Sequence, residues 1–355
     1  MKIKKMTLTI KICLAVLLFS IYYHQHAIEI SKSMELDFET ETSFFVVDNS
    51  LAVWDSANLE LSIFKDKLLV KKLKLNKGEG PQDFRVMSNI ISTKKHFIIW
   101  DHILRRYSFY SKDWKFEKIK KIATLGFFHP LAVVDDSHYL AMWNNFEKHK
   151  KGSTIYQNVG IVDDNKVTKV LHKVGGPFNE KGILNYDRPH LIVSLSANKL
   201  YFAGNQEYKV YMAPLKKNKI LFKEAKKCIE RKYIPCKWDS QCTNLQWIVS
   251  RKPQRPQKIK YPENIPPIFA IVSSDELTGV VTNELILQEK TKIDFFKNNQ
   301  YVGSCKIPIL YMQYYVFPSW LYFTPGIVLN GNTLYTYHYL KNEEIYKIIK
   351  WKIKI

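Results

Sequence analysis

The chain has 355 residues, with 54 lysines and arginines against 33 aspartates and glutamates, a formal charge of +21 and 46% hydrophobic residues. The length allows two domains, but all-β barrels and propellers of this size fold as one unit. Aromatic and β-branched residues spread along the whole chain exclude a low-complexity or disordered protein and suit pleated, buried strands.

Lys2, Lys4, Lys5 and Lys11 form a basic start, and the run 12–23 is apolar but for Ser20, ending at His24-Gln25-His26. A short apolar run after a basic region reads as a secretory signal rather than a full membrane span. Cleavage after Ala27 is one expectation. His26-Ala27 is not a small-x-small site, so an uncleaved N-terminal anchor is the other. Residues 1–27 are therefore read as signal peptide or membrane anchor, and residues 28–355 as one extracytoplasmic unit, periplasmic or secreted. In a cytosolic protein the charge would point to nucleic acid. Behind an export signal it does not.

From residue 44 onward one pattern occurs six times: an apolar run, a tight polar turn, a second apolar run, then a polar residue. The closing residues are Asp55, Asp101, Asn144, Asn205, Asn283 and His338. More strand-like sequence follows each copy, with a longer loop expected after Asn144, so each unit supplies about four short strands. A lone four-stranded sheet exposes two apolar faces, whereas six arranged radially cover one another. The predicted fold is all-β, a six-bladed β-propeller of four-stranded antiparallel blades. Segment 28–38 alternates at Ile28, Ile30, Met34, Leu36 and Phe38 and is predicted to close the ring as outer strand of the last blade. Gly78-Glu79-Gly80-Pro81 and Gly175-Gly176-Pro177 are turn signals, expected at joints after the first and third blades. Blade four is expected to end with a strand near 220–222. A long basic insertion carrying cysteines then spans about 224–266. Its Arg251, Lys252, Arg255 and Lys258 are candidates for meeting anionic lipid headgroups or an acidic glycan. A solvated lysine-rich surface is the plainer reading.

Cys228, Cys236, Cys242 and Cys305 follow the export signal, where disulfides are permitted. One local bridge in the insertion is an open expectation, and buried free thiols the alternative. No pair has the C-x-x-C spacing of structural zinc.

The segment Lys77-Gly-Glu-Gly-Pro-Gln-Asp-Phe84 resembles the G-x-G-P-x-x-F joint of the exported bacterial NHL-like six-bladed β-propellers. Tyr261-Pro-Glu-Asn-Ile-Pro-Pro-Ile268 is similar to the proline-rich lead-in that the family places before its fifth blade. The resemblance covers roughly residues 38–355. It departs in the long basic stretch and in joints that are poorly repeated elsewhere.

Common catalytic signatures are absent: there is no G-x-S-x-G, H-E-x-x-H, glycine-rich phosphate loop or EF-hand loop. The six strand-closing polar residues are the candidate ligand site, because such positions recur on one face of a propeller and can converge on its channel. Asp and Asn oxygens suit calcium, and the resemblance to lactonase-type propellers would add a metal at the channel with an inward glutamate, for which Glu35, Glu39 and Glu41 are available. The competing role is capping of the following turn. Trp54, Trp100 and Trp143 could stack on a ligand, but packing between blades is the preferred role. The expected function is thus a monomeric, non-enzymatic envelope scaffold that binds a protein or glycan and needs no cofactor. A metal-dependent hydrolase or lyase is the alternative, with calcium as its metal.

Overall fold

The computed structural model describes residues 28–122, 128–133, 138–149, 152–163, 166–178, 183–185, 191–196, 199–204, 207–216, 219–221, 224–231, 236–237, 258–260, 264–265, 267–285, 288–311, 313–317, 320–324 and 326–355. Every element among them is a strand. Six antiparallel sheets stand around one axis as the blades of a propeller. Blade one runs through Thr42–Val47, Ser50–Asp55, Glu60–Lys65 and Leu68–Lys74, and blade two through Asn89–Ser92, His96–Asp101, Arg106–Ser111 and Phe116–Lys121. Blade three holds Phe128–Val133, His138–His149, Gly152–Asp163 and Val167–Phe178. Blade four holds Leu191–Ser196, Lys199–Gly204 and Lys209–Lys216, with Lys226–Glu230 outermost. Blade five holds Ile268–Ser273, Leu277–Thr282, Lys290–Lys297 and Gln300–Pro308. Blade six holds Ile327–Asn330, Thr333–Leu340 and Ile345–Lys354.

The ring closes as predicted. Glu29–Phe38 pairs antiparallel with Ile345–Lys354 as the fourth strand of blade six, from Glu29 opposite Lys354 to Phe38 opposite Tyr346. Without it the third strand of that blade would present an open edge.

Successive side chains alternate between the two neighbouring blades. Leu51 and Val53 pack towards blade six, Ala52 and Trp54 towards blade two. Leu200 and Phe202 pack towards blade three, Tyr201 and Ala203 towards blade five. Both faces of the inner strands are therefore buried, which is why they read as unbroken apolar runs. Among the described residues six apolar clusters result, one at each contact between blades. Trp54, Trp100 and Trp143 lie inside them, each nearly inaccessible, as the packing role requires. Tyr107 stacks on Tyr139 across blades two and three at 4.5 Å between ring centres.

Alternation of strand direction divides the turns. Turns from first to second and from third to outer strand lie on one face, here the hairpin face. Turns from second to third strand lie on the other, together with the joints between blades; this is the joint face. Asp48-Asn49 turns the first hairpin with φ of 47° and 63°, and Asn298-Asn299 turns another with 50° and 66°. Both are two-residue turns of the kind that fits the strand twist, and Asn and Asp accept those angles.

Three expectations need correction. No loop follows Asn144: His138–His149 continues into a hairpin with Gly152–Asp163, His149 opposite Gly152. Gly175-Gly176-Pro177 is no joint but part of the outer strand, opposite Tyr156, Ile155 and Thr154. Proline is tolerated there because an outer strand has one unpaired side. Blade four ends with Lys226–Glu230 rather than 220–222, so the start of the supposed insertion is blade. Lys219–Ile220 makes only a short pairing with Leu215 and Lys216.

Candidate functional site

Among the described residues, the strand-closing Asp55, Asp101, Asn144, Asn283 and His338 share one level of the joint face. Thr42, first in its blade, pairs with Asp55 itself, and Asn89 pairs with Trp100, one residue before Asp101. Phe128 pairs with Trp143 beside Asn144, and Ile268 with Thr282 beside Asn283. In blade six the first residue pairs with Thr336, two before His338. Asn144 and His338 thus keep that level but do not end their strands.

Asp101 is fully buried. One carboxylate oxygen accepts the N–H groups of Ile103 and Leu104, both at 3.0 Å, and so holds the turn that follows. The other accepts from Arg85 at 2.7 Å and Val86 at 3.2 Å, in the joint from blade one. Arg106 lies directly opposite Asp101 in the sheet and is 1% exposed. Its guanidinium donates to the carbonyls of Glu79 at 2.9 Å, Gly80 at 2.7 Å and Asp83. The joint is therefore gripped through its N–H groups by Asp101 and through its carbonyls by Arg106, and charge makes each bond stronger than a neutral one. Asp83 in turn accepts from the Gly80 N–H at 2.8 Å. A Cβ on Gly78 or Gly80 would stand 2.4 or 2.7 Å from that carboxylate, so a side chain there would have to displace it from its bond to the Gly80 N–H. Phe84, its last residue, is buried between blades one and two.

Asp55 makes a similar but smaller clamp. One oxygen accepts the N–H groups of Ala57 and Asn58 at 2.9 Å, the other the Asn58 amide at 2.8 Å and the Thr40 hydroxyl at 2.9 Å. Partial burial works to raise its pKa, but these bonds, those from Asn58 foremost, outweigh it and hold the carboxyl below its ordinary value.

His338 is 2% exposed. Its Nδ1 lies 2.9 Å from the Ile309 carbonyl and its Nε2 2.7 Å from the Thr336 hydroxyl. A carbonyl can only accept, so Nδ1 carries the proton and Nε2 accepts from Thr336. Trp351 Nε1 donates to the same hydroxyl at 2.7 Å. Burial pushes the imidazole pKa down to about 4, against the opposing pull of the Ile309 carbonyl. Asn283 is buried, with its backbone N–H on the Pro267 carbonyl at 3.3 Å. Asn205, Arg251, Lys252 and Arg255 lie outside the described residues. Lys258 opens a short strand, Lys258–Lys260, parallel to Ile183–Asn185.

Calcium does not fit the described part of this set. Each oxygen of Asp101 and of Asp55 already accepts two hydrogen bonds, leaving no lone pairs directed at a cation. Among the described residues no group of three or more His, Cys, Asp or Glu is placed to hold a metal. Glu35 sits in the outermost strand of blade six, ion-paired with Lys32 and, at 2.8 Å, with Lys347, so it does not serve as an inward ligand. Cys228 and Cys305 are free thiols, both with pKa raised by burial, to about 11 and about 12. The Cys228 thiol contacts the Val210 carbonyl at 3.3 Å.

Sequence reading missed a charged cluster built around a fully buried acid. Asp294, fully buried in blade five, accepts from Tyr208 of blade four at 2.8 Å and pairs with Arg231 just past that blade's outer strand. Arg231 also meets Glu284 at 3.1 Å, and Lys292 bridges Glu284 at 2.7 Å and Asp294 at 3.5 Å. Burial, then the Asp294 charge, raise the Tyr208 pKa. The available signal was an acid inside the apolar run Ile293-Asp294-Phe295-Phe296.

The joint face also carries a projection. In blade three the second, third and outer strands are each twelve residues long, against six for the second strand of blade two. The inner strand stops opposite Trp143, so the excess rises beyond the joint face. Six further residues extend it by about 20 Å.

No protein-family model matches the chain, and no curated protein matches it significantly. Solved structures match the chain over most of its length at low identity. A protein of Bacteroides fragilis described as exported is 10% identical, with 94% of this chain and 96% of that one covered at a TM-score of 0.48. A DUF4221 family member from Bacteroides vulgatus is also 10% identical, with 93% and 99% covered at 0.45. An N10 neuraminidase-like protein of a bat influenza A virus is 8% identical, with 92% and 98% covered at 0.38. These are likenesses of fold alone.

Proposed function

We propose that the chain is an exported, NHL-like propeller that works as a non-enzymatic scaffold, binding an envelope protein or glycan on its joint face. One observation carries this reading. The described polar residues of that face spend their bonding capacity on fixing joints and turns, while blade three raises a three-stranded wall beside them. A rigid ring with one raised wall is a recognition surface, and the binding specificity rests on what the loops and wall present.

Elemental analysis of the purified chain, followed by calcium titration, tests the reading. A metal-free protein whose melting temperature ignores calcium is expected. Stoichiometric calcium or zinc, with hydrolysis of lactone substrates, would replace the scaffold by a metal-dependent hydrolase or lyase of the six-bladed class.

A further inference from the structure

Nine large apolar side chains stand exposed among the described residues, and seven of them sit on the hairpin-face side of the ring, on outer strands or at their edge. Leu68, Leu69 and Val70 are 74%, 50% and 54% exposed where blade one turns into its outer strand, and Ile355 is 57% exposed at the neighbouring corner of blade six. Val167, Val170 and Tyr301 hold corresponding places in blades three and five.

The charge beside the exposed residues of blade one has one dominant sign. Segment 65–74 carries Lys65, Lys67, Lys71, Lys72 and Lys74 and one acid, Asp66. Asp66 is itself engaged by Lys350 of blade six at 2.8 Å, which ties the two corners together. Lys352 and Lys354 continue the strip beside Ile355. The chain enters the ring on the same face: Glu29 lies opposite Lys354, and the apolar run 12–23 stands shortly before it in the sequence.

We propose that the hairpin face is a membrane-docking surface that rests on an anionic phospholipid bilayer, with Leu68, Leu69 and Val70 entering the interface and the surrounding lysines meeting headgroups. Exposed apolar residues ringed by lysines are the composition of interfacial anchors. Each lysine near an anionic surface strengthens attraction, and the apolar side chains add burial. The lysines of the outer strand also disfavour the competing occupant, a second copy pairing edge to edge. This orientation turns the joint face and the wall of blade three away from the membrane. It does not depend on which partner that face takes.

The test uses the full chain with phosphatidylcholine vesicles, with and without phosphatidylglycerol. Hydrogen exchange should slow in residues 65–72 only with phosphatidylglycerol, and high salt should reverse it. Because the readout is local, insertion of segment 12–23 by itself cannot produce it. Lys65→Ser, Lys67→Ser and Lys71→Ser together should weaken vesicle binding on the order of a hundredfold. Leu68→Ser, Leu69→Ser and Val70→Ser together should abolish the local protection, whereas Ile103→Ser on the joint face should leave it intact. Equal protection on phosphatidylcholine alone, or protection without vesicles that grows with protein concentration, would overturn the proposal; the latter would assign the edge to a second copy.

Discussion

Asp101 shows how sequence can place a residue at a strand end while leaving its chemistry open between a ligand and a turn cap. Its position at the end of an apolar run made it a candidate ligand. Its four backbone N–H partners make it the pin of a joint. Asp101→Ala should leave those donors, two of them in the joint, without their acceptor and lower the unfolding free energy by about 3 kcal/mol. Urea denaturation checks this, and a loss below ~1 kcal/mol would return Asp101 to the ligand role. His338 has a pH signature. Its folded pKa of about 4 lies below the 6.5 of an ordinary imidazole. The unfolded chain therefore binds the proton first, so stability is full above pH 6.5 and falls as the pH drops towards 4, by up to about 3 kcal/mol. His338→Gln should show a shallower slope than the wild type across that window. Asp55, with its lowered carboxyl pKa, loses its contribution only at still lower pH.

At the scale of an element, the closing strand is the plainest case. Glu29–Phe38 was legible from its alternation and from the need of the last blade for a fourth strand. Deleting residues 28–38 should speed hydrogen exchange across Ile345–Lys354, whose N–H and C=O groups would then face water. Unchanged exchange there would refute closure by this strand. Blade three shows the limit of such reading. Gly175-Gly176-Pro177 carries turn composition but lies in a strand. Its neighbour Gly152–Asp163 offers a full ladder, and an outer edge forgives proline. Tertiary pairing overrides local preference wherever a long partner strand is present. The Gly-Pro joint after blade one behaved as expected for the opposite reason. Its glycines answer a contact with Asp83, three and five residues away, and Arg106 and Asp101 then fix it.

For the whole molecule, the six inter-blade clusters share strands. Each inner strand packs to both sides, so loss of one contact loosens two blades. The charged set around Asp294 joins blades four and five within this ring. Asp294→Asn removes a buried charge from between Arg231 and Lys292 and should cost about 3 kcal/mol. The loss should move the tryptophan fluorescence, to which Trp54, Trp100 and Trp143 of blades one to three contribute, and the far-ultraviolet circular dichroism to the same lower midpoint. Separated midpoints would mean that the blades melt as independent units.

The sequence by itself determined the fold class, the number of blades and the closing strand. All three follow from periodic apolar runs, which report burial on two faces whatever the neighbours are. It also located one level of the joint face, because strand ends recur with the repeat. Only the tertiary structure decided what the residues there do. Whether Asp101 meets a cation or four backbone N–H groups depends on Arg85 and Val86, which belong to the preceding joint and reach it by the arrangement of blades. The same holds for the strip of Leu68, Leu69, Val70 and Ile355. Their exposure follows from lying on outermost strands or at their edge, and their adjacency from the ring bringing the last blade beside the first.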